Sequence, residues 1–187
     1  MKQRPEKNAS APDFTLPDGR NKPIKLSQFQ GKNLVLAFYP ADWSPVCTSE
    51  LALVQEVLDE IHGHNAEFVG ISVDSPWSHR AWADRQHLTF PLLSDFWPHG
   101  AVSSKYGVFR DREGTSDRAL FFIDSTGRIR DSWVAEDPWI APGLDVIFGP
   151  LEEMQQSLRA PTKMTNAEQT RPAVNREDGK RQGARNG

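Results

Sequence analysis

The chain has 187 residues, of which 37% are hydrophobic, a net charge of -3 and an isoelectric point near 6.0. This length and apolar content fit one globular domain, and so weak a charge favours neither nucleic acid nor an anionic membrane surface as a partner. No apolar run is long enough to span a membrane, and none follows the charged N-terminus as it would in a signal peptide.

The sequence contains one cysteine, Cys47. A single cysteine cannot form an internal disulfide, the bond that commonly supports small proteins of oxidising compartments. We therefore expect a cytoplasmic protein. Two polar segments flank the predicted domain, residues 10–159: a flexible N-terminus at residues 1–9, and residues 160–187, whose polar composition predicts a disordered tail.

A strand, a helix and a second strand follow one another in the first half of the domain. Residues 34–39 form a continuous apolar run of strand length, which is typical of a central strand buried on both faces. From Cys47 onward apolar residues recur at helical spacing until Gly63, and residues 68–73 form a second apolar run. This order predicts a parallel crossover unit and hence an α/β fold.

Three further elements are predicted downstream. Pro76 suits the first position of a helix, which we expect to extend to His87. Residues 119–123 and 129–134 flank a polar turn and predict an antiparallel hairpin. Residues 146–158 predict a closing helix.

Cys47 lies where the loop after the predicted central strand turns into a helix. Ligand sites of open α/β sheets lie at this end of the strands, and the unpaired N–H groups of a first helical turn favour thiolate over thiol. The alternative is a small buried hydrophobic residue, since free cysteine is among the most buried residue types. Position alone leaves both interpretations open.

The segment from Pro40 to Cys47, Pro-Ala-Asp-Trp-Ser-Pro-Val-Cys, resembles the active-site signature of the peroxiredoxins. Further segments resemble that family in the same order: residues 11–14, 47–50, 72–75, 81–82 and 118–124. The resemblance spans about residues 9 to 135. It implies a thioredoxin-like fold, with a central mixed sheet flanked by helices, and the reduction of hydrogen peroxide, organic hydroperoxides and peroxynitrite.

The resemblance also implies roles for residues of the signature. Cys47 would be the nucleophile, leaving the reaction as a sulfenic acid. Ser44 would supply a hydroxyl for the thiolate or the bound peroxide, although it also suits a helix N-cap. Pro40 would shield the site from water, although a strand terminator is an equally simple interpretation.

Other residues complete the implied site. Arg118 would favour the thiolate and stabilise charge on the peroxide oxygens, with nearby Arg110 and Arg112 as competitors for that role. Glu50 would hold this arginine, unless it is an exposed acid near the helix start. Trp82 would form a wall of the substrate pocket, although a core tryptophan explains it as well. Trp43, four residues before Cys47, is the second predicted pocket residue.

No cofactor and no metal site are expected. His62 and His64 lie at a predicted helix end without a cysteine or acidic partner at ligand spacing, and no glycine-rich phosphate loop is present. With one cysteine, reduction of the enzyme requires an external thiol: a low-molecular-weight thiol, a glutaredoxin-like protein or thioredoxin. The compact chain resembles the one-cysteine alkyl hydroperoxide reductase E group, which implies a homodimer.

Two other functions are alternatives to a peroxidase. A thioredoxin-fold disulfide carrier needs a Cys-x-x-Cys pair, but Glu50 stands where the second cysteine would be, which disfavours this function. A holdase or scaffold protein without peroxidase activity would keep its function in a Cys47→Ser variant, whereas a peroxidase would lose it.

Overall fold

The computed structural model describes residues 3–159, and within that range nine strands and five α-helices are formed. In chain order they are β1 (Thr15–Pro17), β2 (Pro23–Lys25), β3 (Asn33–Phe38), α1 (Pro45–Glu56), α2 (Leu58–Gly63), β4 (Ala66–Ser72), α3 (Pro76–Gln86), β5 (Leu92–Ser94), α4 (Ala101–Lys105), β6 (Phe109–Arg110), β7 (Thr115–Ser116), β8 (Ala119–Ile123), β9 (Ile129–Val134) and α5 (Leu144–Arg159). A 3-10 helix, Leu26–Phe29, follows β2.

The apolar run predicted as a central strand is β3, the middle strand of a five-stranded sheet of order β5-β4-β3-β8-β9. All six residues of β3 are buried, as expected for a strand covered on both faces. It pairs in parallel with β4 and antiparallel with β8, so the sheet is mixed. The predicted α/β class, the crossover unit and the β8–β9 hairpin are confirmed.

Side chains of β3 alternate between two apolar clusters, one on each face of the sheet. Val35 and Ala37 join the cluster that contains Cys47 and buried residues of α1, α2, α3 and α5. Leu34 and Leu36 join the opposite cluster, to which α4 and β1 contribute. Cys47 thus packs on the face that carries four of the five α-helices of the described chain.

The helix predicted from Cys47 to Gly63 is wrong in one respect, because it is broken at Val57. Val57 has φ -103° and ψ 10°, and its N–H is shared between the carbonyls of Leu53 and Val54. The break separates α1 from α2, and both Leu58 and Ile61 of α2 remain buried against the sheet. A periodic apolar pattern continues through such a break, so it does not reveal it.

The segment just before the predicted domain forms hydrogen bonds with the start of β9. Asn8 donates its N–H to the carbonyl of Ile129 at 2.7 Å, and Ile129 donates to Ala9 at 2.9 Å. The predicted flexibility of residues 1–9 stays a prediction, and the predicted tail, residues 160–187, lies outside the described residues. Within residues 3–159, no helix has both the length and the apolar character needed to cross a membrane.

Candidate active site

Cys47 is the third residue of α1 and is fully buried. The chain reaches it from the end of β3 through residues 39–44, and the helix begins at Pro45, whose missing N–H suits the first helical position. The Ser44 hydroxyl accepts the N–H of Cys47 at 3.2 Å and so caps the helix. The thiol therefore lies at the positive end of the helix dipole.

Arg118 lies directly before β8 and reaches Cys47 because of the sheet register. Phe38, the last residue of β3, pairs with Ala119, the first residue of β8, so the residue before β8 lies beside the loop that leads to Cys47. The Arg118 guanidinium donates from Nη2 to Cys47 Sγ at 3.4 Å. Its side chain is 1% exposed, whereas the competing Arg110 is hydrogen-bonded to Glu113 and Arg112 is exposed.

Two oxygen acceptors hold the guanidinium in place. Glu50, one helical turn after Cys47, accepts from Nη1 and forms a buried ion pair with Arg118. The carbonyl of Pro138, in the loop between β9 and α5, accepts from Nε at 3.2 Å and from Nη2 at 3.0 Å. Arg118 thus aims a fixed positive charge at the sulfur, and its Nη2 nitrogen donates both to Sγ and to a backbone carbonyl.

Burial raises the pKa of Glu50 to about 7, against the opposing influence of the Arg118 guanidinium. Loss of hydration disfavours the carboxylate, while the nearby positive charge favours it. Glu50 therefore changes its charge close to neutral pH while in contact with the arginine that contacts Cys47.

A family profile described as AhpC/TSA family matches residues 8–132, which contain Cys47, Glu50 and Arg118. The chain belongs to the AhpC/TSA family. It is a one-cysteine peroxiredoxin, and peroxiredoxins are thiol-dependent peroxidases.

Individual relatives agree with this assignment. The peroxiredoxin is 43% identical over 123 residues to alkyl hydroperoxide reductase E of Mycobacterium tuberculosis, a match that covers 65% of this chain and 80% of that protein. It is 37% identical over 139 residues to peroxiredoxin-1 of Gallus gallus, covering 68% and 69% of the two chains. The crystal structure of the reduced 2-Cys peroxiredoxin of Plasmodium vivax superimposes with a TM-score of 0.74 at 31% identity, covering 82% of this chain and 99% of that one. The thioredoxin-like fold predicted from the resemblance is confirmed.

The other predicted site residues make no described hydrogen bond with the side chains of Cys47, Glu50 and Arg118. Pro40 is half-buried and follows the buried Tyr39, a position that suits both a shield and a strand terminator. Trp43 is 53% exposed and donates from Nε1 to the Ser78 hydroxyl at 3.2 Å. Trp82 is fully buried in the apolar cluster of Cys47, with its ring centroid 6.5 Å from that of Trp43. Its role as a pocket wall stays a prediction.

A buried polar network behind the loop was missed by sequence reasoning. Asp42 accepts hydrogen bonds from the Tyr39 hydroxyl at 2.9 Å and the Ser78 hydroxyl at 2.7 Å. The Nδ1 atom of His79 lies 3.1 Å and 3.0 Å from the two carboxylate oxygens of Asp42. His79 lies on α3, and only the orientation of that helix in the fold brings it to Asp42.

The described residues 3–159 contain no group of three or more histidine, cysteine or acidic side chains that could hold a metal ion. His62 is half-exposed and lies 3.5 Å from Glu67, near the C-terminal end of α2.

Proposed function

We propose that this peroxiredoxin reduces hydrogen peroxide, organic hydroperoxides and peroxynitrite through a sulfenic acid on Cys47. The Cys47 thiolate attacks one peroxide oxygen and the O–O bond breaks. The second oxygen takes a proton and leaves as water or an alcohol, or leaves as nitrite when the substrate is peroxynitrite. The observation that carries the proposal is the 3.4 Å contact between Arg118 Nη2 and Cys47 Sγ in a buried site.

Arg118 would stabilise the charge that moves from sulfur to the leaving oxygen. A guanidinium stays positive throughout the reaction, and its electrostatic effect is strong where water is excluded. Glu50 and Pro138 fix the orientation of this group, so little reorganisation is needed as the peroxide reacts.

The Ser44 hydroxyl would donate a hydrogen bond to the bound peroxide. The oxygen of that hydroxyl accepts the N–H of Cys47, and a hydroxyl group can accept and donate at the same time. Pro40 would limit the entry of water, and Trp43 and Trp82 would form the pocket wall on the side of α3.

An external thiol would regenerate the enzyme, because the sequence offers no second cysteine. The sulfenic acid and a thiol give a mixed disulfide and water, and a second thiol then releases Cys47. A low-molecular-weight thiol, a glutaredoxin-like protein and thioredoxin are the candidate reductants. We further propose that the protein is cytoplasmic, because its single cysteine offers no internal disulfide, and that it is a homodimer, which the family resemblance implies.

The test is stopped-flow tryptophan fluorescence of the reduced protein mixed with substoichiometric hydrogen peroxide. We expect a fast change together with the addition of one oxygen atom in the intact mass, and neither change in Cys47→Ser. A reaction no faster than that of a free thiol would contradict the proposed function and leave a holdase or scaffold protein as the alternative.

A further inference from the structure

The segment that follows β9 contacts Arg118 at two points. The N–H of Ala135 donates to the backbone carbonyl of Arg118 at 2.9 Å. Three residues later, the carbonyl of Pro138 accepts from Nε and Nη2 of the Arg118 guanidinium, at 3.2 Å and 3.0 Å. Ala135 directly follows β9 and is placed by the sheet, whereas Pro138 lies outside the sheet, so its carbonyl needs another restraint.

Pro138 is the second residue of a β-turn that spans residues 137–140. The N–H of Ile140 donates to the carbonyl of Asp137 at 3.0 Å and closes the turn. Aspartate suits the first position of such a turn, and proline suits the second because its ring fixes φ. The turn therefore places the peptide that joins Pro138 to Trp139, but it does not decide which way this peptide faces.

The central peptide of a β-turn can face in two directions. Type I and type II turns keep the same closing hydrogen bond and differ by a reversal of this peptide, which exchanges the sides of its C=O and its N–H. Here the C=O belongs to Pro138 and accepts from Arg118, while the N–H belongs to Trp139 and donates to the Asp137 carboxylate at 2.9 Å. Reversal would break both bonds, so one peptide is held at both ends.

Asp137 suits a test of this arrangement because its side chain is exposed. The bond from Trp139 is the one hydrogen bond described for that side chain within residues 3–159. A substitution of Asp137 therefore acts on the orientation of this peptide and on little else.

We propose that Asp137 is a positioning residue for peroxide reduction: its carboxylate orients the Pro138–Trp139 peptide, whose carbonyl in turn holds the Arg118 guanidinium. The inference rests on the proposed function, in which Arg118 stabilises charge on the reacting peroxide. The charge of Asp137 is not needed for this role, because an amide oxygen accepts the same N–H. Asparagine should therefore replace Asp137, whereas alanine should not.

Two measurements on the reduced full-length protein test the proposal. The first is the rate of reaction with hydrogen peroxide, followed by stopped-flow fluorescence. The second is the rate at which the Nε–H hydrogen of Arg118 exchanges with solvent, followed by NMR of protein that carries isotope-labelled arginine. Pro138 is the acceptor described for this N–H, so its exchange reports on that hydrogen bond. The signal of Arg118 is the one that is missing when Arg118→Met is combined with Glu50→Gln.

Asp18→Ala is the matched control, because Asp18 forms the same kind of turn between β1 and β2. Its carboxylate accepts the N–H of Arg20 at 2.8 Å, and its carbonyl accepts the N–H of Asn21 at 2.8 Å. None of the hydrogen bonds described for the Arg118 side chain involves this turn.

We expect Asp137→Ala to slow the reaction with hydrogen peroxide about fivefold and to speed the exchange of the Arg118 Nε–H by a similar factor, the effect of about one lost hydrogen bond. Asp137→Asn should return both rates to within about twofold of the wild-type values, and Asp18→Ala should leave both unchanged. In the protein that carries Glu50→Gln and Arg118→Met, adding Asp137→Ala should cause no further loss, because the peptide then has no guanidinium to hold.

The proposal is overturned if Asp137→Ala leaves the exchange rate unchanged, or if it speeds the exchange without slowing the peroxide reaction of an active protein. Equal slowing of the peroxide reaction with and without Arg118, or no recovery in Asp137→Asn, would also overturn it. Failure of the proposed function gives a different result: the wild type would react with hydrogen peroxide no faster than a free thiol, while Asp137→Ala would still speed the exchange. That result would refute the peroxidase and leave the positioning of Arg118 by Asp137 intact.

Discussion

Glu50 and Asp95 are two buried carboxylates of this peroxiredoxin, and they have different partners. Asp95 accepts the backbone N–H groups of Val102 and Ser103 at 3.0 Å and 2.8 Å, and the Ser103 hydroxyl at 2.8 Å. Glu50 accepts from the Arg118 guanidinium, whose Nη2 also contacts Cys47. Burial raises the pKa of both carboxyl groups.

The partners of the two carboxylates differ in charge and in their capacity to make further contacts. Backbone N–H groups of a helix are fixed, and the contacts of Asp95 fasten α4 to the end of β5. A guanidinium carries a full charge and further N–H groups that can stabilise a reacting atom. The two carboxylates are therefore similarly buried but differ in role, and the partner of each one shows which role it has. Asp95 stabilises the structure, and Glu50 supports the chemistry at Cys47.

The largest effect should come from the guanidinium itself. In a Glu50→Gln background, which avoids an unpaired buried carboxylate, Arg118→Met should slow the reaction with hydrogen peroxide about 10²- to 10³-fold, the usual effect of removing one donor to developing charge. Arg110→Met, which breaks partly exposed ion pairs with Glu113 and Asp117, is the control and should react at the wild-type rate. Stopped-flow fluorescence measures the rate of reaction with hydrogen peroxide in Glu50→Gln, in Glu50→Gln with Arg118→Met, and in Arg110→Met. If Arg118→Met slows this reaction less than about tenfold, Arg118 takes no part in it.

The second prediction uses the pKa of Glu50. Because this pKa is about 7 in the folded protein and 4.5 as its ordinary value, the folded state binds the proton more tightly. The contribution of protonated Glu50 to stability is therefore complete below about pH 4.5 and is lost as the pH rises to about 7. Relative to Glu50→Gln, the wild-type free energy of unfolding should fall by up to about 3 kcal/mol over this interval.

Urea denaturation of both proteins at several pH values measures this difference. Parallel curves for the wild type and Glu50→Gln would show that Glu50 keeps one charge state throughout, and the contrast with Asp95 would then rest on geometry alone.

The third prediction tests the structural carboxylate. Asp95→Ala leaves the N–H groups of Val102 and Ser103 without their acceptor and should lower the free energy of unfolding by about 2 kcal/mol. The rate with hydrogen peroxide should not change, because Asp95 contacts α4 rather than the site. A slower reaction in a protein that remains folded would mean that the two buried carboxylates are coupled through the sheet.

Sequence reasoning found the residues whose signals are local. The apolar run of β3, the cysteine at a helix start and the arginine before β8 are each visible in a short segment, and the structure brings Cys47, Glu50 and Arg118 together. The short pairs β1–β2 and β6–β7 were not predicted, since strands of two or three residues carry too little periodicity.

Two parts of the site depend on long-range placement and left no trace in the sequence. The Pro138 carbonyl contacts Arg118 through its backbone, which any residue type could provide. The contact between His79 and Asp42 left no signal in the sequence, because it depends on how α3 packs against the loop. Both contacts become predictable only once the register of β3 with β8 and the orientation of α3 are known.

The smallest expected effect separates the two roles of Ser44. Ser44 caps α1 before Pro45, and Ser75 caps α3 before Pro76 in the same way, so the two serines form a matched pair. Replacing either by alanine should lower the free energy of unfolding by about 1 kcal/mol, the usual value of an N-cap. If the Ser44 hydroxyl also binds the peroxide, only Ser44→Ala should slow the reaction with hydrogen peroxide, and Ser44→Thr should restore both the rate and the stability. Equal rates in the two alanine variants would reduce Ser44 to a helix cap and leave Arg118 as the group that stabilises the reacting peroxide.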